Sequence, residues 1–180
     1  QSIMAPGGYS LVVGDSAQIE ARMNAWFSGQ DDLVQAFREG EDIYSLFASD
    51  IYGRKITKTD KTERHVGKTS ILGLGYGMGA DKFKHTLKVG KPSVSMEMSE
   101  CRDIVNLYRA KYAEIKSNWM LCEGMLHDIA NGRERIYGCV STSAEGIRLP
   151  NGMYIRYPNL SQGDDGFTYT NRSKTVKIYG

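Results

Sequence analysis

The sequence predicts an α+β protein in which an all-helical segment is inserted between two parts of a strand-bearing region. Three observations carry that prediction. A short β-branched and aromatic run near the start leads directly into a helical pattern. A periodicity of about 3.6 residues then dominates as far as residue 131. After Gly132 the pattern changes to short runs bounded by turn residues.

Residues 9–13 (YSLVV) read as a buried strand ending at Gly14-Asp15. Residues 17–27 read as a helix with Ile19, Met23, Trp26 and Phe27 on one side, broken at residues 28–31. Asp31 and Asp32 supply the acidic start of a helix over residues 33–38. Another helix spans residues 43–51 and is closed by Tyr52-Gly53. Residues 59–74 form a helix with Thr59 or Asp60 as N-cap and glycines at its far end. A shorter helix lies within residues 77–89, before the Gly90-Lys91-Pro92 break. Residues 99–131 give the longest helical stretch, with Ile104, Leu107, Tyr108, Tyr112, Ile115, Trp119 and Leu126 recurring and a bend near Ser117. Strands follow at 135–140, 153–157, 166–170 and 175–179, with Asn151-Gly152 as a hairpin turn.

Bulk composition excludes several classes. The 180 residues are 41% hydrophobic and 24% charged, ordinary for a globular protein, with a net charge of +2. That charge does not by itself demand a nucleic-acid partner, although a local patch can still bind one. No run approaches the roughly 20 apolar residues of a membrane helix. The start, QSIMAPGG, has neither the charged nor the apolar region of a signal peptide. Lacking an initiator Met, the chain is expected to begin inside a longer protein. Cys101, Cys122 and Cys139 share no metal-ligand spacing and fit reduced thiols of a cytoplasmic protein. No internal repeat is present.

Chemistry concentrates in two segments. In RHVGKTSILGLGYG, Arg64, Lys68, Leu72 and Tyr76 recur every four residues, so two cations, an apolar side chain and an aromatic ring lie along nearly one helix face. Such a face suits a nucleoside triphosphate, with cations at the phosphates and apolar surface at sugar and base; a solvated basic face is the alternative. In GDSAQIEAR, Asp15 closes an apolar run, where it can either cap the following helix or reach a divalent metal. Glu20 and Arg22 taken alone are surface charges. Gly67-Lys68-Thr69 is not a P-loop, because Thr62 stands where a glycine is needed and no strand precedes it. Gly73, Gly75, Gly77 and Gly79 match no dinucleotide fingerprint. They fit either a closely packed helix end or room for a base pair.

These two segments resemble motifs of the family A DNA polymerases, the polymerase I-like enzymes of bacteria and phages. GDSAQIEAR is similar to motif A, and RHVGKTSILGLGYG to motif B on the fingers helix. LYRAKYAEI resembles the fingers segment after motif B, while LPNGMYIRYPNL and FTYTNRSKTVKIYG resemble palm strands of phage members. The resemblance implies a polymerase palm, an antiparallel sheet with helix, into which an all-helical fingers subdomain is inserted. Residues 1–30 would be the first part of the palm and residues 31–131 the fingers, with the motif B helix at about 59–75. Residues 132–180 would be palm strands.

The resemblance also implies roles. Asp15, helped by the Ser16 carbonyl, would bind a pair of Mg²⁺ ions that activate the primer 3′-hydroxyl and hold the triphosphate. Ala17, Gln18 and Ile19 would line the nucleotide floor. Glu20 would gate against a ribose 2′-hydroxyl while hydrogen-bonded to Tyr76. Arg64 and Lys68 would grip the phosphates, and Lys68 would protonate the leaving pyrophosphate. Leu72, with Gly73 beside it, would border sugar and base, and Tyr76 with Gly77 would occupy the template-base site. The expected partners are primer-template DNA and deoxynucleoside triphosphates, in the cytoplasm of a phage-infected bacterium.

Several departures carry consequences. Ser16-Ala17 replaces the commoner Tyr-Ser, and His65 stands where Arg is frequent. Leu72 replaces an aromatic residue, which predicts altered sugar discrimination because leucine cannot stack. Motif C, which carries the second metal carboxylate, does not occur before Gly180. The isolated chain is therefore expected to polymerise poorly, and a further segment or second polypeptide to supply that acid. Two other readings are a non-catalytic nucleotide- and DNA-binding half of a split polymerase and a helical interaction module.

Overall fold

The computed structural model describes residues 3–164 and 166–178. Among them come first seven helices: α1 (Ile19–Ser28), α2 (Asp31–Arg38), α3 (Ile43–Tyr52), α4 (Lys61–Leu74), α5 (Ala80–Val89), α6 (Met98–Lys111) and α7 (Ala113–Ala130). Short strands follow. β1 (Arg135–Tyr137), β2 (Val140–Ser143), β3 (Gly146–Arg148) and β4 (Tyr154–Arg156) form an antiparallel meander in sequence order. β5 (Ser161–Gly163), β6 (Gly166–Asn171) and β7 (Lys174–Lys177) form a second antiparallel sheet. The α+β class and the return to strands after the helices match the prediction, whereas the strand expected before them does not form.

Helix ends follow local chemistry. Gly29 and Gly53 close α1 and α3 in the left-handed conformation. Asp60 sits at the N-cap of α4, yet its carboxylate accepts from the Thr57 backbone N–H and hydroxyl at 2.9 Å instead of from the helix's own amides. The core gathers around Phe47, fully buried, with the rings of Tyr108 and Tyr112 at 5.6 and 5.8 Å. Burying one such ring stabilises the fold by roughly 1.5–3 kcal/mol. α3 and α4 lie close because Gly67 has no side chain: a Cβ there would overlap the Tyr44 carbonyl oxygen and stand 3.0 Å from Ala48 Cβ.

Four expectations need correction. Residues 9–13 form no strand; Tyr9, Leu11, Val12 and Val13 are 55–90% exposed. A strand needs a paired neighbour, and among the described residues β1–β7 pair only with one another. On α1 the buried residues are Ala21 and Ala25, whereas Ile19, Met23, Trp26 and Phe27 face outward. The small alanines allow close approach to the core, which turns the larger side chains away. The long helical stretch breaks at Tyr112 (φ −109°, ψ 60°), not near Ser117. Tyr112 sits in the aromatic cluster, and its backbone departs from helical geometry there. The run at 135–140 is two strands, split where Gly138 takes φ 59°.

The hairpin at Asn151-Gly152 is present: Leu149 N–H donates to the Met153 carbonyl at 2.7 Å, and Gly152 has φ 82°. It joins β3 to β4. β5 carries no apolar alternation (SQG) and had no sequence signal. The strand expected over 175–179 is met by β7 up to Lys177, and Tyr179 lies outside the described residues. α7 links the two regions, packing against β2, β3 and β5, with His127 edge-on to Phe167 at 4.9 Å. Among the described residues no helix is long and apolar enough to cross a membrane.

Candidate functional site

α4 is amphipathic in the sense its sequence requires. Val66, Gly67, Ser70, Ile71 and Leu74 are buried against neighbouring helices, which leaves the Arg64–Lys68 side outward. A step of four residues overshoots one helical turn by about 40°, so the line from Arg64 winds around α4 and reaches the core side only at Leu72. Lys68 is accordingly exposed, and Leu72 is half-buried and packed on the core. The Lys68 side chain makes no hydrogen bond or ion pair among the described residues. Tyr76 lies just beyond the helix, its N–H donating to the Gly73 carbonyl at 3.2 Å and its ring 63% exposed.

The helix end is pinned from below. The Gly75 carbonyl accepts from Asn24 Nδ2 at 3.0 Å and from Trp119 Nε1 at 3.1 Å. A Cβ on Gly75 would stand 2.9 Å from the Ile71 carbonyl oxygen, and one on Gly73 would press on Met78. Gly75 is there for packing, whereas at Gly73 the neighbour is the flexible end of the Met78 side chain. Gly77, at φ 77°, has open space around it.

The motif around Asp15 is arranged differently. Asp15, Ser16 and Ala17 lie on an exposed loop before α1. Arg22 secures that loop: its Nε donates to the Ala17 carbonyl at 3.1 Å, and its guanidinium lies 4.7 Å from the Phe37 ring centroid. It is therefore more than the surface charge that its sequence context suggested. Gln18 holds φ 57°, a strained left-handed conformation, and its side chain acts on the Tyr44 hydroxyl, opposing the upward push of burial. Ile19 N–H donates to the Ser16 carbonyl at 3.3 Å.

Glu20 and Tyr76 are brought near each other without a hydrogen bond, a correction to the expected pair. Burial first, and then the Glu20 charge, push the Tyr76 hydroxyl above its ordinary value, so the ring stays neutral. Burial raises Tyr44 too, with smaller pushes from the Asp42 and then the Glu20 charge, although Gln18 and Arg64 pull the other way. Gln18, Glu20, Tyr44, Arg64 and Tyr76 thus share one electrostatic neighbourhood.

Arg64 is not free. Its Nε donates to Asp42 Oδ2 at 2.6 Å and its Nη2 to Oδ1 at 3.0 Å, with the Tyr44 ring 5.3 Å from the guanidinium. Burial raises the Asp42 carboxyl, but hydrogen bonds from Arg64 and Ser45 outweigh it and hold the group below its ordinary range. Neither Asp42 nor Tyr44 stood out in the sequence. Asp42 has the look of a helix cap, and its partner is 22 residues away. His65 turns inward, its Nε2 buried without a partner, and burial followed by the Lys68 charge lowers its pKa.

Among the described residues no three His, Cys, Asp or Glu side chains gather to hold a metal. Asp15 supplies one carboxylate. That donor suits a Mg²⁺ ion arriving with phosphate and water ligands, not a cage built by protein alone.

Residues 1–130 match the family described as DNA polymerase family A. The DNA polymerase I of Chloroflexus aurantiacus is 39% identical over 80 residues, 44% of this chain and 8% of that protein. The thermostable DNA polymerase I of Thermus thermophilus is 32% identical over 137 residues, 76% of this chain and 15% of that protein. The DNA polymerase I of Pseudomonas aeruginosa is 31% identical over 112 residues, 62% of this chain and 12% of that protein. The chain therefore spans less than a sixth of the length of these curated relatives.

Proposed function

The chain belongs to DNA polymerase family A, and from that membership we propose that it carries the nucleotide-binding part of a template-directed DNA polymerase. The observation that carries the proposal is Lys68 standing exposed on α4 between the Asp42-paired Arg64 and the half-buried Leu72, with an exposed Tyr76 and open space at Gly77 beyond the helix end. Arg64 and Lys68 bind the triphosphate, and preorganised cations of this kind stabilise charge developing in phosphoryl transfer. Lys68, exposed and unpaired, donates the proton to the departing pyrophosphate. Leu72 bounds the sugar, Gln18 and Ile19 form the floor, and Glu20 disfavours a ribose 2′-hydroxyl. Tyr76 and Gly77 receive the template base. Residues 1–30 and 132–180 act as palm and residues 31–131 as fingers.

Asp15 and the Ser16 carbonyl would hold Mg²⁺, which when bound neutralises triphosphate charge and lowers the barrier to attack by the primer hydroxyl. In the intact protein this reaction adds a deoxynucleotide to a primer end and releases pyrophosphate. The Ser16-Ala17 pair and the strand-region sequences favour a phage replication enzyme working in an infected bacterium. A second carboxylate, on a further segment or a partner chain, completes the metal site. Without it the chain is a nucleotide- and DNA-binding half.

The test is Mg²⁺-dependent primer extension by the intact protein. Asp15→Asn and Lys68→Ala should each cost at least a hundredfold, in line with the loss of a single transition-state donor. Unchanged extension by both variants would overturn the assignment.

A further inference from the structure

We propose that Asp42 is a positioning residue for triphosphate recognition: its carboxylate fixes the Arg64 guanidinium so that one edge stands pre-set toward the phosphates on α4. The inference rests on the nucleotide site proposed above and adds to it a residue outside both motifs.

The geometry is a two-point fork. Arg64 Nε and Nη2 meet the two oxygens of Asp42 at 2.6 and 3.0 Å. Ser45 Oγ donates to Asp42 Oδ2 at 2.8 Å, so the carboxylate is itself held from behind. The Tyr44 ring lies 5.3 Å from the guanidinium carbon and limits how the plane can tilt. The pair is largely shielded, with side-chain exposures of 29% for Arg64 and 16% for Asp42. Asp42 and Ser45 belong to the start of α3, which is packed tightly on α4 through Gly67. The fork is anchored to the rigid part of the molecule.

An arginine has five N–H donors, and this fork uses two. Both Nη1 hydrogens and one on Nη2 remain, two of them side by side on the end of the guanidinium away from Nε. A free arginine would have to freeze several torsions to meet a phosphate; this one has done so already. The pairing also divides labour along α4. Arg64 is nearly neutralised by Asp42 and contributes direction, whereas Lys68, without an ion-pair partner, contributes net positive charge. An oriented fork recognises the geometry of a phosphate chain, which a mobile lysine cannot do alone.

The experiment is equilibrium binding of dATP and of dAMP, with Mg²⁺, to the wild-type chain, Asp42→Asn, Arg64→Ala and the double variant. Asn keeps the shape and the helix-cap capacity of Asp42. Asp42→Asn should weaken dATP binding about tenfold, the scale of one charge-assisted hydrogen bond. It should leave dAMP binding unchanged and add nothing in the Arg64→Ala background. A purely structural Asp42 would instead weaken both ligands in both backgrounds, which overturns the proposal. Tighter dATP binding by Asp42→Asn overturns it too, because Asp42 would then be a competitor that Arg64 must leave. If the wild type binds dATP and Asp42→Asn binds it equally, the proposal falls while the nucleotide site stands. No dATP binding by the wild type removes both. Should Asp42→Asn fail to fold, Ser45→Ala removes one bond behind the fork and should show a smaller loss in the same direction; no loss there overturns the proposal.

Discussion

Trp119 Nε1 donates to the carbonyl oxygen of Gly75 at 3.1 Å, which ties the middle of α7 to the end of α4, 44 residues earlier. Asn24 of α1 reaches the same oxygen at 3.0 Å. One carbonyl therefore joins three helices, one residue before the exposed ring of Tyr76.

Each bond to that carbonyl should be worth about 1 kcal/mol singly. Trp119→Phe and Asn24→Ala are expected to cost about that amount in urea unfolding, beyond any loss of packing. The double variant should cost more than the sum, because it leaves a half-buried carbonyl without a partner. Strict additivity in the double-mutant cycle would show that the two donors do not share one acceptor.

Gly67→Ala should destabilise the chain by about 1–3 kcal/mol, the usual cost of overpacking. Helix propensity favours alanine by about 1 kcal/mol, so an exposed glycine here would give the opposite sign. The clash with the Tyr44 carbonyl and with Ala48 at 3.0 Å decides the outcome. Chemical denaturation of the variant checks it, and a stabilised protein would refute the close α3–α4 contact.

His65 should make stability fall in mild acid. Burial and then Lys68 hold its pKa below the ordinary 6.5, so the unfolded chain binds a proton more readily than the folded one. Stability from this group is complete above about pH 6.5 and is lost as pH falls through the lower folded value. The buried Nε2 has no acceptor for a new proton. Melting temperature against pH should decline below 6.5 in the wild type and decline less in His65→Asn. Identical profiles would place His65 in solvent.

Much of the helical architecture was legible because glycines and acidic caps mark where α1 to α5 begin and end. The break at Tyr112 carried no such mark: an aromatic residue at helical spacing looks like continued helix, and only its packing with Phe47 and Tyr108 shows otherwise. Burial on α1 was misjudged because side-chain size suggested the inner face, while contact is made by Ala21 and Ala25. The apolar run at 9–13 has strand composition, but strand formation depends on a neighbour that local sequence does not specify. In the site, the four-residue rhythm of Arg64, Lys68 and Leu72 was visible because one helix carries it. Asp42, Tyr44 and Trp119 were not, because they reach α4 from other helices.

The most direct test of the phosphate-binding face on α4 is equilibrium binding of a deoxynucleoside triphosphate to this chain in Mg²⁺, wild type against Lys68→Ala. Lys68 is exposed and unpaired, so its removal should leave unfolding free energy within about 0.5 kcal/mol of wild type. Saturable binding in the wild type, weakened at least tenfold in Lys68→Ala at unchanged stability, is the predicted result. Equal affinity in the two proteins, or no binding in either, would contradict it.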